Sequence, residues 1–214
     1  MKIAITGADR PLGALFCRGL AGAHEVRPFG WPDEPGQDLV GLPYRRLDLR
    51  IPFAVRPAVE GVDLIVHAMP YDPPQAGGAA GDQVLLDQVA RGTYVLVRAA
   101  CDVRIGRLIL ISQMALMEDY PADFAVREDW IPLPRATGAG LAPYTAELVC
   151  REIARIGRLE VICLRMGALG QRDGTREADA LGAVEQALWR PSPGDGYCWS
   201  LHHVVSGGRF ARSR

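Results

Sequence analysis

Lysine is almost missing from this chain: of 24 lysine and arginine residues only Lys2 is a lysine, and it opens the first strand-like run. Chemistry that needs a lysine amine inside the fold therefore has no candidate. A paired set of cysteines is missing too. Cys17, Cys101, Cys150, Cys163 and Cys198 are odd in number, widely scattered and without C-x-x-C spacing, which argues against a disulfide framework or a zinc site and reads as buried thiols. Charge of one sign is not in excess, because the formal net charge is −1, so no basic field awaits a nucleic-acid backbone. The longest apolar runs fall short of the ~18 to 20 residues that a membrane span requires. The first residues begin a strand, not the charged and apolar regions of a signal peptide. Nucleic acid, membrane and metal are thus not expected partners, and the cytoplasm is the expected compartment.

What is present is enough for one core. At 214 residues and 49% hydrophobic content, the chain fits a single domain that buries roughly 70% of its unfolded surface. We place that domain over 1–205 and expect the basic stretch 206–214 to be flexible. Short apolar runs at 2–6, 24–29, 44–48, 63–68, 107–112, 160–165 and 197–204 alternate with helical patterns at 11–21, 52–59, 82–102, 142–157 and 177–189. That alternation predicts β-α-β units: an α/β, doubly wound parallel sheet of about seven strands with helices on both faces. Loops rich in proline and glycine are expected at 30–37, 70–81 and 132–143, the last two on the side where such sheets bind ligands.

The stretch TGADRPLG at 6–13 joins the first strand to the first helix. A phosphate-cradling turn needs glycine for a tight bend, for close backbone approach to a pyrophosphate and for helix packing on the strand. Gly7 and Gly13 supply the first and third roles, while the middle one has passed to Arg10 or Pro11. Pro11 suits the first helical turn, where a missing N–H costs nothing.

In this the sequence resembles the short-chain dehydrogenase/reductase superfamily, whose extended epimerase/dehydratase-like branch uses T-G-x-x-G-x-x-G and whose reductase branch uses T-G-A-S-R-G-I-G. Further landmarks follow in family order: "RRLDLR", "VDLIVHAMP", "GTYVLVRAA", "EDWIPLP…YTAELVCREIA" and "LRMGALGQ". The resemblance covers about residues 1–205 and implies a Rossmann-type fold binding NADP or NAD. The cofactor-binding residues it implies are Gly7, Asp9, Arg10, Leu12, Gly13, Asp48, Leu49, His67, Ala68 and Met69, with Asp48 at the adenine. Arg10 falls where NADP(H)-preferring members often carry arginine, and Phe29-Gly30-Trp31 offers no acid for a ribose, so the expectation leans to NADP(H). The substrate-binding region that the family carries near its C-terminus is cut here to a few dozen residues.

The reaction centre departs from the family pattern. Tyr144 falls on the family tyrosine, and Glu152 on the glutamate eight residues later, which fixes the register. Leu148 then stands where the family lysine lowers the tyrosine pKa. A tyrosine ordinarily titrates near 10, and bringing one to about 7 takes ~4 kcal/mol of differential stabilisation. The serine position reads Gln113, with Ser112 one residue before it and expected on the opposite strand face, and the relay asparagine is Val89. Two functions follow. One is an oxidoreductase or epimerase on a nucleotide sugar or a small hydroxyl or carbonyl compound, using Tyr144, Ser112 and Gln113 in a non-standard site. The other is a non-catalytic NAD(P)-binding or sensing module. The resemblance also implies a homodimer through the helices at 82–102 and 142–157.

Overall fold

The computed structural model describes residues 1–69, 78–192, 194 and 196–211. Part of the loop expected at 70–81 and the last three residues of the basic tail lie outside them. Seven strands form one sheet: β1 Lys2–Thr6, β2 Glu25–Gly30, β3 Arg45–Arg46, β4 Leu64–His67, β5 Arg107–Gln113, β6 Glu160–Met166 and β7 Trp199–Val204. Their order is β3-β2-β1-β4-β5-β6-β7 and every pairing is parallel. Chain order reverses between β1 and β4, which opens the crevice where doubly wound sheets take ligands.

Strand alternation sorts the core into two layers. Ile3, Ile5, Leu64, Val66, Ile109, Ile111 and Leu164 pack on one face against helices α1 (Pro11–Ala21) and α6 (Glu177–Trp189). Ala4, Phe29, Ile65, Leu108, Leu110, Val161 and Cys163 pack on the other against α2 (Pro52–Val59), α4 (Gly92–Asp102) and α5 (Gly138–Arg155). Near-continuous apolar strands are what burial on both faces demands. All five cysteines are free; four are buried and Cys101 is half-buried.

Two helices start earlier than expected. α3 runs Gly78–Leu86, and a π-helical turn at Asp87–Arg91 joins it to α4, so the 82–102 stretch is longer and broken. The glycine-rich segment before residue 142 is not all loop, because Thr137 caps α5, its Oγ1 accepting from Gly140 N at 3.2 Å. Strand β3 is shorter than its apolar pattern suggests. After Arg46 the chain gives only Leu47 N to Gly30 O, and then turns at Asp48. In the tail, Arg209 Nη2 donates to the carbonyls of Met117 and Tyr120, which ties residue 209 to the segment after β5. Among the described residues no helix is long and apolar enough to cross a membrane.

Candidate functional site

The β1–α1 turn is built around two contacts that tolerate only glycine. Gly7 has φ +67, and a side-chain carbon on it would collide with the Ala68 carbonyl; one on Gly13 would collide with the Gly7 carbonyl. Arg10 is the extended residue before α1, its N–H bonds Gly7 O at 3.0 Å, and Pro11 opens the helix as expected. Since proline has no backbone N–H, the first free helical N–H groups belong to Leu12 and Gly13. The turn therefore presents backbone donors and the positive end of a helix to the crevice.

Beside the turn opens a pocket of about 150 Å³ lined by Gly7, Asp9, Arg10, Gly30, Trp31, Leu47, Asp48, Leu49, Met69 and Gln88. Most of the sequence-predicted cofactor residues meet there. Asp48 is only partly free: Arg50 Nη2 and Nε donate to its two oxygens at 2.9 and 3.0 Å, and those bonds first of all hold its carboxyl below the usual range. Arg10 does not stand as an isolated cation, because its Nε lies 3.4 Å from Asp9 Oδ2. That pairing removes the main support for an NADP(H) preference. Trp31 and Gln88 were not among the expected residues. Trp31 follows β2 directly and packs beneath Arg50, whose guanidinium carbon is 5.2 Å from the ring. Gln88 reaches the pocket from the π turn, a local widening that composition does not announce.

His67 is not at the rim. It is fully buried, with Nδ1 2.7 Å from Thr6 Oγ1 and Nε2 2.9 Å from Thr93 Oγ1, so the ring clamps β1, β4 and α4 together and offers no nitrogen to the cleft. Burial lowers its pKa to about 3 and keeps it neutral. Ala68 acts through its carbonyl, the group that forces Gly7.

Between β5 and α5, Ser112 Oγ donates to Glu147 Oε1 at 2.6 Å. The same carboxylate takes Arg165 Nε at 2.8 Å and Nη2 at 2.7 Å, and Arg165 Nη1 meets Met117 Sδ at 3.2 Å. All of these are buried. Ser112 is thus committed to a structural network on the face of β5 that packs against α5, the helix that carries Tyr144, while alternation turns Gln113 to the opposite face, the reverse of the arrangement expected for a Gln113 at the serine position. Arg165 thereby anchors α5 and the 3₁₀ turn Met114–Met117 to β6. Tyr144 is half-buried on α5 against the cluster of Met114, Leu116 and Met117, with Leu148 one turn on. Arg151 is exposed and lies 3.9 Å from Glu152, and Val89 is fully buried.

No protein-family model matches the chain. It is 30% identical over 209 residues to an L-arabinose 1-dehydrogenase (NAD(P)(+)) of Haloferax volcanii, an alignment that covers 91% of this chain and 78% of that protein. The chain belongs to the short-chain dehydrogenase/reductase superfamily. A mutated uronate dehydrogenase superposes with a TM-score of 0.80 at 19% identity, covering 97% of this chain and 74% of its own. The Thermus thermophilus UDP-glucose 4-epimerase, solved with NAD, gives 0.75 at 19% identity over 97% and 78%. Both share the fold. The chain's one lysine, Lys2, opens β1 at the opposite end of that strand from the Gly7 turn, with its amine 3.8 Å from Glu25.

Proposed function

We propose that the chain holds a nicotinamide dinucleotide, NAD(H) or NADP(H), in the cradle between β1 and α1 and acts on a small hydroxyl or carbonyl compound of the sugar class through a non-standard set of groups. One observation carries this reading: Gly7 and Gly13 sit where only hydrogen fits, and the pocket beside them is lined by Asp9, Arg10, Asp48 and Met69. The Leu12 and Gly13 amides would hold the pyrophosphate, Leu49 and Met69 would flank the adenine, and Asp48 would meet its edge. The dinucleotide supplies hydride transfer when bound. The L-arabinose 1-dehydrogenase, named for NAD(P)(+), and the epimerase solved with NAD support the choice of ligand.

Among the chain's own groups, Tyr144 is the one phenol placed at the family position. Ser112 gives its proton to Glu147 and is not free to donate to a substrate oxygen. Arg165 is held by the same carboxylate, and arginine does not exchange protons near neutrality. Leu148 brings no positive charge. General acid/base catalysis is worth about 10²- to 10⁴-fold only when the group is tuned to the working pH. Those absences favour a second reading, a non-catalytic binding or sensing module.

A single-turnover assay of the parent and Tyr144→Phe, with NAD and NADP and a panel of sugars, sugar nucleotides and small carbonyl compounds, separates the possibilities. The account expects slow turnover that falls less than about tenfold in the variant. A thousandfold collapse would contradict it, showing that another group activates the tyrosine. No turnover in a parent that binds dinucleotide favours the module. Two further proposals accompany this one. Two copies pair through the helices at 82–102 and 142–157, where Val84 and Tyr94 stand exposed, and the protein works in the cytoplasm, in keeping with its five free thiols.

A further inference from the structure

The second strand of a dinucleotide-binding sheet ordinarily ends in an acidic residue that takes the ribose 2′-hydroxyl, or is served by an arginine that takes a 2′-phosphate. Here β2 ends at Gly30 and is followed by Trp31, so the strand supplies neither. Asp9 does not belong to that strand. It comes from the β1–α1 turn, yet its carboxylate lies over the end of β2: Oδ1 accepts from Trp31 N at 3.2 Å, and a side-chain carbon on Gly30 would sit 2.5 Å from the same oxygen. The Asp9 side chain is 12% exposed, and Asp9 lines the pocket.

We infer that Asp9 takes the role of the acid missing from β2, binding the adenosine ribose hydroxyls and selecting NAD(H) over NADP(H). The inference rests on the dinucleotide reading given above. A carboxylate has about four acceptor positions. The Trp31 amide uses one and Arg10 approaches another, which leaves room for a diol. Three arginines near the end of β2, Arg10, Arg46 and Arg50, are already answered by carboxylates. Arg10 lies 3.4 Å from Asp9, Arg46 2.9 Å from Asp33, and Arg50 2.9 Å from Asp48 and 3.2 Å from Asp87. The field around β2 agrees. The Tyr44 phenol, which donates to Pro32 O at 2.8 Å, is pushed up to about 12 by burial first and then by Asp9 and Asp33. A dianionic 2′-phosphate would enter beside a fixed negative charge, and that repulsion is the selective element.

Calorimetric titration of NADH and of NADPH into the parent, Asp9→Asn and Asp9→Ala tests this. The parent should bind NADH at least about tenfold more tightly than NADPH, and each variant should narrow the ratio by about tenfold. Asn keeps an oxygen for the Trp31 amide and removes only the charge, so it should act chiefly by tightening NADPH. Tighter NADPH binding in the parent, or a ratio unchanged in both variants, overturns the inference and leaves the dinucleotide reading standing. Binding of neither nucleotide by the parent at millimolar concentration overturns both. The parent's own ratio needs no variant, so loss of folding in Asp9→Ala does not shelter the inference.

Discussion

His67 shows how a single residue can look like a site and be a clamp. Its two hydroxyl partners lie 61 and 26 residues away in sequence, so no local pattern could reveal that both ring nitrogens are engaged. The consequence is measurable. The folded pKa is about 3 and the unfolded value near 6.5. Between them the unfolded chain binds a proton that the native ring refuses, so stability is lost as pH falls below about 6.5, by up to ~1.4 kcal/mol per unit. Urea unfolding between pH 7 and 5, above the range where most carboxylates titrate, should show this slope in the parent. His67→Gln should cost about 1–3 kcal/mol at pH 7 and flatten the slope. Equal slopes in the two proteins would mean that the ring is accessible to protons in the native state.

Between elements, the Ser112–Glu147–Arg165 network joins β5, α5 and β6 and holds the 3₁₀ turn through Met117. Removing one partner of a buried ion pair leaves an uncompensated charge and costs about 3–5 kcal/mol, whereas replacing both with apolar groups of similar volume is often neutral. Glu147→Gln should therefore lower unfolding free energy by about that amount, and Glu147→Met combined with Arg165→Met should recover most of it. A double variant as unstable as the single one would contradict the desolvation argument. The elements themselves were largely legible. Alternation and apolar runs located every strand, and α1, α2 and α6 fall on the expected residues, because patterning agrees there with a proline opening α1 and α2 and with acids in the first turn of α6. The onset of α5 was hidden because glycines 138 and 140 read as loop, while the Thr137 cap that starts the helix is one side-chain bond. The π turn was hidden because it changes phase without changing composition.

For the whole molecule, the topology brings the β1–α1 turn, the end of β2, the Asp48 turn and the π turn to one crevice at the switch between β1 and β4. The ordered series of motifs made that crevice legible from sequence, since glycine spacing reports backbone contact directly. Ion pairing within it was not legible. Asp9 with Arg10 and Arg50 with Asp48 are neighbours in sequence, yet which acid answers which arginine depends on how β2 and β3 lie beside the turn. Everything proposed for this protein rests on that crevice holding a nicotinamide dinucleotide. The most direct measurement is calorimetric titration of the unmodified protein with each of NAD, NADH, NADP and NADPH. The account predicts saturable binding of at least one of them with a Kd of ~1 mM or tighter. The absence of binding heat from all four at millimolar concentration, in protein shown to be folded by its cooperative unfolding, would contradict it.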